Sequence, residues 1–345
     1  MKKLVVLILA ISFWCSLFLF ADKRQDLWLK AAAEKNLELR LQYFEQFLKE
    51  FGDKKGKHSK YLYFNLAQSS FQLKKYDKSI EYCEQTLEFK DLEANLKLQA
   101  YLILANAFYV TKSDIDKAFN YAGLVIEFGK SVKMTTESTD RSKQLSENID
   151  KHFISPACRI QTLILFEKGK DNPENLMEAT KKAMEAYNFN KTKRNVDLIL
   201  SLAYRLGKLD RLDKAIYYVE QLCDNNEGNA KCFSMLGTWY NKKGNKDKAI
   251  HYFEKYYQVQ EKDSNAAKTA LKVGVLLSKK DKLKAMNYFA EAYVLLNSDK
   301  ESKVYKYLQQ LWFNEIAKGK PQAEQDKGFA EIIKTAKTRL NLESE

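Results

Sequence analysis

The chain has 345 residues, 45% of them hydrophobic, and a formal net charge of +13, which provides for one long or two ordinary domains with a real core. With only 12 Gly and 3 Pro, and with Pro156, Pro173 and Pro321 each placed where a helix would begin, the composition favours helix over sheet. Eight of the 58 basic residues are arginine, and lysine alternates with Asp and Glu along nearly every segment, as on solvated helix faces, so a nucleic-acid partner is not expected.

The chain opens with Met1-Lys2-Lys3 and an apolar stretch from Leu4 to Ala21, broken only by Ser12 and Ser16, before Asp22-Lys23-Arg24. A short positive region, an apolar region and a small residue ahead of a polar chain compose a secretory signal, with Ala21 as the last residue removed. As a helix the 18 apolar-stretch residues would reach about 27 Å, so retention of residues 1–21 as a membrane anchor is the alternative. Lipid attachment at Cys15 fits poorly, because Phe13 and Trp14 stand where a small residue is needed. In each version the bulk of the chain lies outside the cytoplasm.

Helix-period segments follow in order. Asp26 to Phe51 is an irregular first unit. Around Lys60 to Asp91 stand Tyr63, Leu66-Ala67, Ser70, Ser79, Cys83 and Thr86. Next come Tyr101, Leu104-Ala105, Phe108, Ala118, Ala122 and Val125. Residues 131–154 break the register: Met134 to Asn148 is rich in Ser, Thr and charge, and reads as a linker, an extended helix or an insertion. An irregular unit at Ser155 to Tyr187 precedes Ile199, Leu202-Ala203, Leu206, Ala215, Val219 and Leu222. The clearest unit has Phe233, Leu236-Gly237, Tyr240, Ala249, Phe253 and Tyr256. Val273-Gly274, Leu277, Ala285, Phe289 and Ala292 repeat it, and Glu301 to Ala317 with Pro321 to Leu340 form a closing pair or cap.

An aromatic, Leu-Gly, Tyr, then Ala with an aromatic four later resembles the tetratricopeptide-repeat family, and Ala215 and Ala249 stand 34 residues apart, one period of that family. The resemblance implies an all-α fold: a right-handed superhelix of about seven helix pairs. It is expected in two blocks, 23–130 and 155–345, the second with capping helices. It also implies a concave face lined by the first helix of each pair. Mapped here, that face carries Tyr61, Phe64, Gln68, Phe71 and Gln72, then Leu102, Asn106 and Tyr109. Aromatics and amides in this pattern suit an apolar helix or extended peptide, although aromatics at helical spacing also fit a core. The matching stripe near Ala230 has Lys231, Ser234, Thr238, Asn241 and Lys242, which is polar and basic. The lysine and asparagine clamp of the family's chaperone-binding members has no counterpart beyond Asn106.

Catalytic motifs are missing from the sequence: there is no phosphate-binding glycine loop, no Gly-x-Ser-x-Gly and no His-Glu-x-x-His. His58, His152 and His251 sit in polar surroundings and do not cluster in sequence. Cys83 falls on a buried stripe. Cys223 and Cys232 flank the turn Asp224 to Asn229, where they either form a disulfide worth about 2–3 kcal/mol or stay as buried thiols. The turn lacks the alternating carboxylates of a calcium loop, and no metal or cofactor is expected. The expected function is a non-catalytic scaffold or adaptor of the bacterial cell envelope that holds a protein or peptide partner. The stretch Leu41 to Asp53, with Tyr43, Phe44, Phe47, Leu48 and Phe51, resembles repeat proteins of envelope assembly. The alternative is a membrane-anchored component of a secretion, pilus or envelope-assembly machine.

Overall fold

The computed structural model describes residues 23–52, 59–134, 140–224, 229–297 and 301–342; the expected signal or anchor at 1–21 and His58 lie outside them. Among the described residues the regular structure is helical. Two compact units form, one ending at Val196 and one beginning at Asp197.

The first unit contains α1 (23–33), α2 (Leu37–Phe51), α3 (Ser59–Gln72), α4 (Tyr76–Leu87), α5 (Ala94–Thr111), α6 (Ile115–Met134), α7 (Asp140–Ile149), α8 (Ser155–Lys168) and α9 (Pro173–Phe189). Helix α10 (Lys193–Lys208) carries the division. The second unit continues with α11 (Leu212–Asp224), α12 (Ala230–Lys242), α13 (Lys246–Val259), α14 (Ser264–Leu277), α15 (Lys282–Leu295), α16 (Lys303–Leu311) and α17 (Gln322–Arg339). Helices α3 and α4, α5 and α6, α8 and α9, α12 and α13, and α14 and α15 pack as pairs.

Helices begin where the chain supplies a side-chain acceptor. Asn36, Asn172, Asn229, Asn245, Asp263, Asp281 and Ser302 each cap the backbone N–H groups that follow them. Within three pairs the turn is the same. Lys74, Asp210 and Gly244 adopt φ of 59°, 57° and 77°. The next residue then donates its N–H five residues back, Lys75 to Ser70, Arg211 to Leu206 and Asn245 to Tyr240, at 2.8, 3.1 and 2.9 Å.

Large side chains fill the space between helices, and small ones sit where helices meet. Leu66, Leu104, Leu202 and Leu236 are fully or nearly fully buried, each contributing about 1.5–3 kcal/mol. A Cβ at Gly237 would stand 2.7 Å from the Phe253 ring, and one at Gly274 would stand 2.7 Å from the Phe289 ring. The Leu-Gly and Val-Gly steps therefore exist to admit a ring from the partner helix.

Of the readings open to 131–154, the described part is helical. It continues α6 to Met134, then forms α7 and a π turn at Asp150–Ile154 that runs straight into α8. Ile149 and Ile154 are buried, and both pack where a Cβ at Gly129 would lie, 3.2 and 3.0 Å away. Two isoleucines spaced five apart anchor this segment, a period too wide for an α-helical stripe and suited to a π turn. Pro156 stands in the first turn of α8, directly after this π turn. Ser155 donates to the Asp150 carbonyl across the π turn, so this helix start is a widened junction. Pro173 and Pro321 also stand at helix starts.

Candidate functional site

Charge is sorted by helix. Helices α3, α5, α12 and α14, each the first of its pair, contain no Asp or Glu. Helix α8 has only Glu167, and α10 only Asp197. Both carboxylates are engaged: Glu167 accepts from Lys112 at 2.5 Å and Tyr109 at 2.9 Å, and Asp197 accepts from Lys231 at 2.9 Å.

The second helices carry the acids, and neighbouring pairs are tied through them. A lysine four residues before a tyrosine recurs at Lys78/Tyr82, Lys117/Tyr121, Lys214/Tyr218, Lys248/Tyr252 and Lys284/Tyr288. Lys78 pairs with Glu45 at 2.7 Å. Lys248 and Tyr252 both reach Glu220 at 3.2 Å, while Lys284 and Tyr288 reach Glu254 at 2.7 and 3.2 Å. Burial opposes ionisation of Glu220, yet hydrogen bonds from Tyr240 and Lys248 win and hold its carboxyl below the usual range. At the helix starts, Asp116 pairs with Lys168 at 2.6 Å, Asp247 with Lys280 at 2.5 Å, and Asp213 with Lys243. Acids are thus concentrated on the second helix of each pair, and several are neutralised there by neighbouring pairs.

On the amino-terminal stripe most residues expected to meet a partner are occupied within the chain. Phe64 is buried at 6% exposure, which corrects its assignment as a groove lining. Tyr61 donates its hydroxyl to Glu93 at 2.5 Å, and Gln72 accepts from Arg40 at 3.1 Å. Asn106 donates to the Leu102 carbonyl of its own helix at 2.8 Å. Tyr109 donates to Glu167, while the Lys112 ammonium lies 3.9 Å from its ring centre. Burial, then the bond to Glu167, pushes the Tyr109 hydroxyl up to about 12. Phe71 stacks edge-on with Tyr76 at 5.6 Å, and Gln68 and Leu102 are half-buried.

The corresponding face of the second unit is open. Thr238 and Asn241 of α12 and Leu271, Lys272, Val275 and Leu276 of α14 line a cleft of about 430 Å³, with Phe253 beneath. Val275 is 55% exposed there. Thr238 donates to the Ser234 carbonyl at 2.8 Å and keeps its oxygen lone pairs. The Asn241 side chain makes no hydrogen bond among the described residues. The Lys272 ammonium lies 5.5 Å from the centre of the Phe253 ring, so a cation overhangs the apolar floor. Thr238 and Asn241 were on the sequence-mapped stripe near Ala230; the α14 wall was not. Its signal was available in the residues of α14 at the same helix position, Leu271, Lys272 and Val275.

Cys223 and Cys232 are both buried, and the bridge open to them in sequence is not formed: each stands as a thiol. Cys83 and Cys158 are buried too, and burial drives both thiols up, Cys158 to about 12. His152 and His251 are exposed, and His251 packs edge-on against Tyr252 at 5.1 Å. No group of His, Cys, Asp and Glu able to hold a metal ion occurs among the described residues.

Helix pairs with a repeated left-handed turn, a Leu-small step receiving a ring, and a lysine–tyrosine pair reaching back to the preceding pair decide the fold. It is the tetratricopeptide-repeat fold. No family model and no curated protein matches the chain. Similar solved structures include a tetratricopeptide repeat protein from Parabacteroides merdae, 14% identical over 84% of this chain and 99% of that one, with a TM-score of 0.40. The C-terminal part of a TPR repeat-containing protein from Cytophaga hutchinsonii is 13% identical over 83% and 98%, with a TM-score of 0.43. PilW, a type IV pilus biogenesis factor, is 15% identical over 73% and 99%, with a TM-score of 0.29. Likeness at this level carries no argument about what the chain does.

Proposed function

We propose that the chain is a non-catalytic protein-interaction scaffold that holds a segment of a partner in the cleft between α12 and α14. The observation that carries this reading is the cleft itself, with an apolar floor of Phe253, Leu271, Val275 and Leu276 and a polar rim of Thr238, Asn241 and Lys272. An apolar recess rimmed by hydrogen-bonding groups takes one anchoring side chain and the backbone beside it. The amino-terminal stripe of Tyr61, Gln68, Phe71, Gln72, Leu102, Asn106 and Tyr109 is the weaker candidate, because most of its polar ends are already bound. The displaced titrating groups lie along ties between helices, which supports a structural use for them.

The place of work is inferred to be the cell envelope, on the strength of Met1-Lys2-Lys3 and the apolar run to Ala21. A membrane-anchored component of a secretion, pilus or envelope-assembly machine is the second reading, favoured by the length of that run. Among the described residues no helix is long and apolar enough to cross a membrane.

The test places a photo-crosslinking amino acid at Val275, or at Leu283 as a control on α15, in the full chain in its own cells. The scaffold reading expects a discrete adduct from Val275 alone. Equal adducts from both positions, or none from Val275, would remove the cleft as the partner site. Mass analysis of the amino terminus in soluble and membrane fractions separates the exported from the anchored form.

A further inference from the structure

We propose that the partner held by the second unit is an acidic protein segment that sets an apolar side chain into the α12–α14 cleft. This deepens, and rests on, the reading of that cleft as the partner site.

Some lysines of the second unit are paired with acids and others are not, the ones unpaired among the described residues including Lys214, Lys246 and Lys255 of the second helices. Lys231, Lys243, Lys248, Lys280, Lys282 and Lys284 are each paired with a carboxylate of the same unit. Lys208, Lys242, Lys268 and Lys272 are exposed and make no ion pair among the described residues. All four lie on first helices: Lys208 on α10 beside Tyr204, Lys242 on α12, and Lys268 and Lys272 on α14. Helix spacing groups three of them with the cleft, since Lys268 precedes Lys272 by four and Val275 by seven, and Lys242 follows Thr238 by four. Lys242, Lys268 and Lys272 thus stand unpaired on the two helices that line the cleft.

The counter-charge is missing from the same face. Neither α12 nor α14 contains an acid, and Asp197, the one acid of α10, is bound to Lys231. Lys272 on the rim, with Lys242 and Lys268 on the same two acid-free helices, attracts an anionic ligand and keeps the free face from pairing with itself. The floor distinguishes the ligand class. Phe253, Leu271, Val275 and Leu276 offer nothing to a phosphate backbone, but they accept a Leu- or Phe-sized side chain. The unpartnered Asn241 amide can donate to and accept from a peptide bond alongside. No arginine lies on α12 or α14, so the forked donors suited to phosphate and bases are missing there. A glutamate- or aspartate-rich segment with an apolar anchor meets each of these features.

The experiment uses the full chain and a fluorescein-labelled peptide of glutamates interrupted by two leucines four residues apart, read by anisotropy. Its control replaces each glutamate by glutamine. The glutamate peptide is expected to bind at least about tenfold more tightly, with affinity falling as salt is raised. The double variant Lys242→Glu and Lys272→Glu is expected to lose that preference and bind a lysine-for-glutamate peptide instead. Melting should be unchanged, since both lysines are exposed; if it is not, Lys272→Gln replaces the double variant and should weaken glutamate-peptide binding severalfold. Equal binding of glutamate and glutamine peptides, both abolished by Val275→Asp, would overturn the acidic assignment and leave the cleft as the partner site. No binding of either peptide overturns the assignment too, and the cleft falls with it only if crosslinking at Val275 also fails. A single-stranded oligonucleotide of equal charge binding as tightly, unaffected by Val275→Asp, would show bare polyanion attraction and overturn the proposal.

Discussion

Helices α3 and α5 in the first unit and α12 and α14 in the second occupy the same place in the repeat, yet they are finished in opposite ways. In the first unit most polar ends of the stripe are tied down: Tyr61 to Glu93, Gln72 to Arg40, Asn106 to its own helix, and Tyr109 to Glu167. In the second, Asn241 is unpartnered, Val275 is exposed, and Lys242, Lys268 and Lys272 have no counter-ion among the described residues. A stripe rich in aromatics looks like a binding face in sequence, but a hydroxyl with a carboxylate in reach binds within the chain first. The stripe with fewer attractive residues is the one left with unmet chemistry.

The largest effect separates packing from surface within the second unit. Leu236 is fully buried, so Leu236→Asp should cost at least about 3 kcal/mol and lower the melting temperature steeply. Val275→Asp, on an exposed wall of the cleft, should leave melting within error and abolish binding of the glutamate–leucine peptide. Comparable losses of stability from both would mean that Val275 belongs to the core and that the cleft is not open. A smaller effect tests the tied stripe. Tyr109→Phe removes the bond to Glu167 and should cost less than about 1 kcal/mol, with no change in partner binding. Lost binding with unchanged melting would restore the amino-terminal face as a site.

The smallest effect is in pH. The bond from Lys112, then that from Tyr109, holds the Glu167 carboxyl below its ordinary value. A folded value below the unfolded one means that the stabilisation is complete above the unfolded value, about 4.3, and is lost as pH falls through the folded one. Tyr109 behaves in the reverse sense: its contribution is present below about pH 10 and is lost as pH rises through about 12. Glu167→Gln should flatten the acid limb of a melting-temperature profile and shift the alkaline limb down. A profile identical to that of the unaltered chain would show that the tie contributes nothing.

Much of the fold was legible in the chain. Leu236-Gly237 with Phe253, and Val273-Gly274 with Phe289, encode a close approach that only a ring against a bare Cα satisfies, and both pairs form as spaced. The segment before α8 was not legible, because Ile149 and Ile154 are spaced for a π turn and vanish among Ser, Thr and charge. The site was half legible. Thr238 and Asn241 were on the mapped stripe, but lysine had been read as spread evenly along the chain. That evenness is an average over both helices of each pair; once register is known, the acids of α4, α6, α9, α11, α13 and α15 separate from the nearly acid-free first helices. Occupancy of Tyr61 and Tyr109 depends on residues about 32 and 58 positions away, which no local pattern announces.

The contrast between the two stripes is tested most directly by backbone amide hydrogen exchange of the full chain with and without the glutamate–leucine peptide. Added protection confined to α12, α14 and the turns that join them to α13 and α15, with α3 and α5 exchanging as before, is the result expected. Protection of α3 and α5 with none on α12 and α14 would contradict it and move the partner site to the amino-terminal unit.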